Sequence, residues 1–306
     1  MITPSSIVLN SLIGDALSLG AHWIYSQREI AEKFGRITGY AAPATQYHPG
    51  KQAGDFTHYG DQTMVLLRSL AKQGRFDLPT FAAEWQAFWE GPATLSYRDG
   101  ATRATLSNLR SGLPPEKAAS PSNDIAAAAR IAPLFLLIWN SPDELIAAAR
   151  AQTAFTHGDP SVAETAEFIA RVTLAVKAGA TIADALRDAA SLTHWKAIPA
   201  EWFAAAVASH ASAATDAAAA KAHGLTCHVP EAFPAICHLL LRHPDDAATA
   251  LRINVEAGGD SAARGMIMGM IYGAQHDAAA LPSEWITGLR SHAEIQQLMS
   301  QLISHA

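Results

Sequence analysis

Ser141-Pro142-Asp143-Glu144-Leu145-Ile146-Ala147-Ala148-Ala149-Arg150-Ala151-Gln152-Thr153-Ala154-Phe155 is the stretch that decides the fold class. A serine at the cap position, proline at the first helical position and glutamate three residues after the cap satisfy the orphan amides of a helix start. The alanine-rich run that follows carries the strongest helix-forming composition. The same punctuation recurs at Asp159-Pro160 and at Thr181-Ile182-Ala183-Asp184, and the stretches Ala163–Lys177 and Trp202–Lys221 are again alanine-rich. No β-branched run alternates with period two, so the chain reads as all-α. Short connections carrying Gly74, Gly179 or His243-Pro244, with no long Ser/Gly/Pro linker, predict one multi-helix domain over residues 1–306.

Composition narrows the classes of function. Of 306 residues, 49% are hydrophobic and 16% charged, which supports a sizeable core. The net charge is −6 and no run of Lys or Arg could track a phosphate backbone, so nucleic acid is not an expected partner. The longest apolar run, Ile131 to Trp139, is well short of the ~20 residues of a membrane span, and no membrane association is expected. Two cysteines make no disulfide framework, and the first residues lack a signal-peptide pattern, which points to a reducing cytoplasm. No oligomerisation pattern is readable, and a monomer is the expectation.

Two segments depart from ordinary amphipathic helices. Tyr40 to Tyr59 is loop-like and carries His48, Asp55 and His58 ahead of Gly60-Asp61-Gln62-Thr63. That density of polar side chains in a loop suits ligand binding. Ile253 to Ala274 runs through Gly258-Gly259-Asp260-Ser261 into a helix whose Gly265, Gly269 and Gly273 stand four apart. Three glycines on one helix face, each costing up to about 1 kcal/mol, imply that another backbone passes very close.

Asp15 lies in a helix that is apolar nearly all round, so its carboxylate must hold a neighbouring helix end or an arginine, or serve as a buried acid. Asp61 and Asp260 each precede an apolar helix, at Met64–Leu70 and Ala262–Ala274, and read as N-caps. Brought together, two such helix starts would offer the Asp61 and Asp260 carboxylates, the Thr63 and Ser261 hydroxyls and orphan amides to one cavity, which suits a hard cation or a phosphorylated ligand. The cluster His223, Cys227, His228, Cys237, His238 and His243 lacks zinc-ligand spacing, and core packing is the expectation for Cys237. Nucleophile-elbow, P-loop and dinucleotide fingerprints are missing from the sequence.

Taken in order, these segments resemble the ADP-ribosylglycohydrolase family. Its first-helix Gly-Asp-Ala-Leu-Gly is matched by Gly14-Asp15-Ala16-Leu17-Ser18, and its Thr-Asp-Asp-Thr by Gly60-Asp61-Gln62-Thr63. Its Arg-x-x-Pro-Leu and Thr-His-x-x-Pro appear as Arg130-Ile131-Ala132-Pro133-Leu134 and Thr156-His157-Gly158-Asp159-Pro160. The C-terminal Gly-Gly-Asp-Thr-Asp-Thr resembles Gly258-Gly259-Asp260-Ser261-Ala262-Ala263, followed by the glycine helix, Pro282 and Trp285. The resemblance spans about Gly14 to Trp285 and implies an all-helical hydrolase of ADP-ribose linkages whose second and last motifs hold two magnesium or manganese ions.

Here Gly60, Gln62, Ala262 and Ala263 replace ligands of that pair, and His22 stands where an acidic residue often follows the first motif. The resemblance therefore implies at most a single, weak magnesium or manganese site on Asp61, Gln62, Asp260 and Ser261. It implies catalysis by His22 with Asp15 and Asp61, and substrate contacts from His48, Asp55, His58, Gln62 and Gly259. The expected substrate is a small-molecule or ADP-ribosylated ribosyl N- or O-glycoside. The alternative is a non-catalytic ADP-ribose-binding or crystallin-like structural member of the same family.

Overall fold

A run of apolar residues on every side of a helix can be satisfied only at the centre of a larger assembly. In the computed structural model, which describes residues 4–91, 95–212 and 214–305, two such helices form that centre. They are α1 (Pro4–Ser18) and, far along the chain, the glycine helix. Between them come α2 (Gln27–Phe34), α3 (His58–Gln73), α4 (Leu78–Glu90), α5 (Gly100–Arg110), α6 (Ala126–Ala129), α7 (Pro142–Ala154) and α8 (Pro160–Lys177). Next come α9 (Ile182–Ser191), α10 (Ala200–His210), α11 (Asp216–His223), α12 (Val229–Arg242) and α13 (Ala247–Ala257). The glycine helix is α14 (Ser261–Gln275), and α15 (Ser283–Thr287) and α16 (His292–His305) close the chain. No strand occurs among the described residues, only two isolated bridges. Among the described residues no helix is long and apolar enough to cross a membrane.

The sequence punctuation works as read. Ser141 accepts from the Glu144 amide, Asp159 from Ser161 and Thr181 from Asp184, and Gly74 ends α3 in a left-handed conformation. Two boundaries differ. The alanine-rich stretch Trp202–Lys221 is not one helix, because Thr215 accepts from the Ala218 amide and starts α11 afresh. Helix α3 begins at His58 rather than Met64, capped by Thr57, so Asp61 stands in its first turn and is not its N-cap.

The glycine stripe does what its spacing implies. A Cβ at Gly265, Gly269 or Gly273 would fall 2.7, 2.2 or 2.3 Å from the carbonyl oxygens of Gly14, Asn10 or Ser6. The pairing runs in reverse order, so α1 and α14 are antiparallel and touch backbone to backbone. This contact fixes the two helix ends that carry Asp15 and Asp260. One contiguous apolar core, from Ile7 to Leu302, surrounds the pair.

Candidate functional site

Asp15 is fully buried, and the structure gives it the role of holding a helix end. Its Oδ2 accepts from the Thr57 amide at 2.8 Å, and its Oδ1 from Thr57 Oγ1 at 2.6 Å and the Gly60 amide at 3.2 Å. A carboxylate at a helix N-terminus satisfies orphan donors and complements the helix dipole. Burial nevertheless raises the Asp15 pKa to about 6, against the lowering by its Thr57 bonds. Gly60 follows from this packing, since a Cβ there would lie 2.5 Å from Asp15 Oδ2.

Asp260 occupies the cap position of α14, yet its side chain makes no capping bond. It turns instead to Trp23 Nε1 at 3.0 Å and the Tyr59 hydroxyl at 2.8 Å, both donating to Oδ2, while buried Oδ1 has no protein partner. The Gly258-Gly259 turn makes this possible, with φ of 86° and 70°. Gly259 donates to the Ile24 carbonyl at 2.7 Å and accepts from the Trp23 amide at 2.9 Å, and the Asp260 amide donates to Leu225. A Cβ on Gly259 would lie 2.1 Å from the Leu225 oxygen, so Gly259 places the turn through its backbone. Buried Arg264 clamps it from behind, donating to Asn254 and to the Gly258 carbonyl.

A second carboxyl joins Asp260 from a distant part of the chain. Ligand atoms of Asp124, Cys227 and Asp260 all lie within 4.8 Å of one another. Burial and the neighbouring Asp260 carboxylate raise the Asp124 pKa well above the usual carboxylate range. Burial likewise pushes the Cys227 thiol up, with both aspartates adding to it, so the thiol is no thiolate nucleophile. Asp124 Oδ1 accepts from the Ala126 amide at 2.8 Å, leaving the second oxygen facing Tyr59 at 3.4 Å.

Asp61 and Gln62 belong to other networks. The Lys51 ammonium sits 2.7 and 2.8 Å from the two Asp61 oxygens, so the cation that this carboxylate holds comes from the chain itself. They share the wall of an open cavity of about 420 Å³ with Gly50, Asp55, Phe88, Leu95 and Ser96. Gln62 points into the core, where its Oε1 accepts from Trp85 Nε1 at 2.9 Å and from Arg130 Nη1. Arg130 Nη2 continues to Thr156 Oγ1 at 2.6 Å, which contacts His157 Nδ1 at 2.9 Å. His157 thus belongs to a buried structural chain. Ser261 Oγ is buried without a protein partner.

This arrangement does not suit a magnesium or manganese pair. Hard divalent ions need several oxygens with net negative charge. Asp61 is neutralised, the Gln62 oxygen is taken twice, and Gly60, Ala262 and Ala263 offer no side-chain oxygen. Only Asp260 Oδ1 and Ser261 Oγ remain of the expected ligand set.

The three histidines singled out in the sequence converge beside these carboxyls. Ligand atoms of His22, His48 and His58 lie within 4.8 Å of one another, and all three side chains are buried. Burial and the neighbouring imidazole of His58 push the His22 pKa well below its ordinary value, so it is neutral at pH 7. His58 also approaches Asp99, 3.3 Å from its Nε2. Tyr59 divides the two groups: its ring packs on His58 at 3.9 Å and edge-on to His22 at 5.7 Å. Trp23, Tyr47 and Tyr97 cover the cluster from the solvent side, their ring centroids 4.8 to 5.6 Å apart. Trp23 has φ of 66°, the one positive value on a non-glycine residue among those described. Such a conformation on a bulky residue costs on the order of 1–3 kcal/mol and persists only where contacts over-determine it. Asp55 stands apart, closing its own turn on the Gln52 amide and pairing with Arg290 at 3.1 Å.

Sequence reading missed Asp124, Lys51, Asp99, Tyr59 and Trp23. Asp124 carries only the weak signal of an Asp ahead of an alanine run, and nothing local ties it to Asp260, 136 positions later in the numbering. The Cys–His segment divides: Cys227 joins the carboxyls, Cys237 packs in the core, and His238 and His243 face Asp216.

The chain can be set against known proteins on this geometry. It is similar to crystallin J1A of Tripedalia cystophora, 23% identical over 310 residues that cover 96% of this chain and 94% of the relative. Crystallin J1B of the same animal is 22% identical over 311 residues, covering 97% and 94%. A solved chain described as an ADP-ribosylglycohydrolase-related protein complex shares the fold, with a TM-score of 0.72 at 22% identity and coverage of 99% and 97%. The family model ADP-ribosylglycohydrolase matches residues 7–306. With its motif segments gathered around the α1 and α14 ends and that match over nearly its whole length, the chain belongs to the ADP-ribosylglycohydrolase family.

Proposed function

We propose that the protein hydrolyses an ADP-ribosyl or related ribosyl N- or O-glycosidic bond, using a carboxyl pair in place of a magnesium pair. The observation that carries this reading is the buried Asp124 within 4.8 Å of Asp260, close enough that burial and the neighbouring carboxylate push its pKa up to about 8, with Asp260 Oδ1 free of protein partners. A glycosidic bond needs a proton delivered to its leaving group and a base for the attacking water. Asp124 supplies the proton as the anomeric C–N or C–O bond breaks. Asp260 lies within 4.8 Å of Asp124, the short separation of a double displacement, so its carboxylate adds to the anomeric carbon as the leaving group departs, and water then cleaves the ribosyl ester with Asp124 taking the water's proton. Neutral His22 lies one ring away, beyond Tyr59, and carries no proton in these steps. The substrate is a small molecule or an ADP-ribosylated side chain.

Release of ADP-ribose from a panel of ADP-ribosylated side chains and ribosyl nucleosides, followed chromatographically without added magnesium, tests this. Asp124→Asn keeps the oxygen that accepts from Ala126 but has no acidic proton. It is expected to lower kcat/KM by about 10²–10⁴, the usual contribution of a general acid. Wild-type activity falls as alkaline pH deprotonates Asp124, and that limb disappears in the variant. Unchanged activity in Asp124→Asn contradicts the mechanism.

A second reading, a non-catalytic family member, is favoured by one observation. Lys51 neutralises Asp61, and the Trp23–Tyr47–Tyr97 lid covers the polar centre. Binding of ADP-ribose with no turnover of any panel member is its expected signature.

A further inference from the structure

Six ring nitrogens meet where His22, His48 and His58 converge, and the protein partners few of them. Both nitrogens of His22 and Nδ1 of His48 are buried without a hydrogen-bond partner in the chain. A buried imidazole with an unmatched donor is destabilising, and three packed together multiply the mismatch. Each ring presents one nitrogen to the centre of the cluster.

We infer that His22, His48 and His58 form a binding site for one borderline divalent transition-metal ion, of which zinc is the representative. Nitrogen-only ligation suits zinc, cobalt or nickel and is foreign to magnesium. The spacing fits the ion. Two nitrogens bound tetrahedrally at about 2.0–2.1 Å from one centre lie roughly 3.3 Å apart. His48 Nε2 and His58 Nδ1 are 3.3 Å apart. A direct hydrogen bond between these two rings is the rival explanation, but it satisfies only two of the six nitrogens and leaves His22 with neither partner.

The surroundings resemble those of a metal-ligating histidine. Asp99 Oδ2 lies 3.3 Å from His58 Nε2, which places a carboxylate behind the ring on the side away from His48. The nearby Lys51 ammonium is paired with Asp61. Three different elements bring the ligands in: His22 follows α1 beside the strained Trp23, His48 comes from the loop and His58 opens α3. The Tyr59 ring separates the site from Asp124 and Asp260, and its loading is read with no substrate present, so its failure leaves the hydrolase reading untouched.

The test uses the full chain, stripped by chelator and dialysed against cobalt. Wild type is expected to retain one cobalt per chain with the visible absorption of a low-coordinate nitrogen-ligated ion, displaced by one equivalent of zinc. No thiolate-to-cobalt charge-transfer band should accompany it. His48→Ala and His58→Ala remove the bound cobalt while far-ultraviolet circular dichroism stays helical, and His243→Ala, in the separate cluster with Asp216, leaves it unchanged. Asp99→Asn, acting through His58, weakens zinc by about 10–100-fold and leaves the stoichiometry at one. The wild-type spectrum decides even if a histidine variant misfolds. Failure of wild type to retain cobalt overturns the inference. So does a charge-transfer band abolished by Cys227→Ser, which places the ion on the carboxyl and thiol group instead.

Discussion

Gly269→Val is expected to abolish cooperative folding, or to leave so little stability that the thermal transition starts near room temperature. The Cβ it introduces would lie 2.2 Å from the Asn10 carbonyl oxygen, 2.7 Å from the adjoining carbonyl carbon and 3.0 Å from the Ser11 nitrogen. All three are backbone atoms of α1 and cannot rotate away. Relief requires α1 and α14 to separate along their whole contact, since Gly14, Gly265 and Gly273 set the same spacing on either side. Ordinary overpacking costs about 1–3 kcal/mol, and a rigid backbone contact lies above that range. Domains of this kind have only about 5–15 kcal/mol in all. Gly100→Ala is the matched control, because nothing lies within 4 Å of its added Cβ in α5. It should be neutral or stabilising by up to about 1 kcal/mol. Urea unfolding followed by circular dichroism separates the two outcomes; a Gly269→Val protein as stable as wild type would contradict the backbone contact.

Asp15→Ala is expected to cost roughly 3 kcal/mol or more in the same assay. Two amide donors and a hydroxyl lose their acceptor at a buried helix start, at about 1–3 kcal/mol for each unsatisfied group. The pH dependence has a definite sign. Asp15 has a folded pKa of about 6 against an unfolded value of 3.8, so the folded state holds the proton more tightly. The stability it contributes is fully present below pH 3.8 and is lost as pH rises towards 6, by roughly 3 kcal/mol at about 1.4 kcal/mol per pKa unit. Asp15→Asn removes this slope, so its deficit against wild type narrows between pH 4 and 6. A deficit that widens over that interval would mean that Asp15 is stabilised as the anion in the fold.

The features that set the fold were written locally, which is why they could be read. Caps at Ser141, Asp159 and Thr181 use side chains and amides within three residues, and the period-four glycines of α14 state their own packing demand. Asp15 was legible as a buried carboxylate in an apolar helix, with a helix end among its two natural partners. What escaped depends on distance along the chain. Whether α3 starts at His58 or six residues later turns on a bond between Thr57 and Asp15, 42 positions apart. Asp260 looked like a cap because its position is one; only Tyr59 and Trp23 draw the side chain away. Lys51 sits ten residues before Asp61 in an irregular loop, where no periodicity announces an ion pair.

The substituted motif positions acquire a common explanation from this geometry. Gly60 is required by the Asp15 carboxylate, Gln62 bridges Trp85 and Arg130, and Lys51 supplies the positive charge that Asp61 needs. Gly60 and Gln62 thus each take the place of a magnesium ligand to meet a demand inside the chain, Lys51 occupies the Asp61 that remains, and Asp124 beside Asp260 offers a proton in the same neighbourhood.

The most direct test of that exchange is the thermal stabilisation of the protein by ADP-ribose with and without added magnesium. A ligand that binds only the folded state raises its apparent stability by about 2.7 kcal/mol at a hundred times Kd. The expected result is a shift from ADP-ribose alone that magnesium leaves unchanged and that Asp260→Ala removes. A shift that appears only when magnesium is present would contradict the account, because it would require a hard-cation site at residues that Lys51, Trp85 and Arg130 hold in this structure.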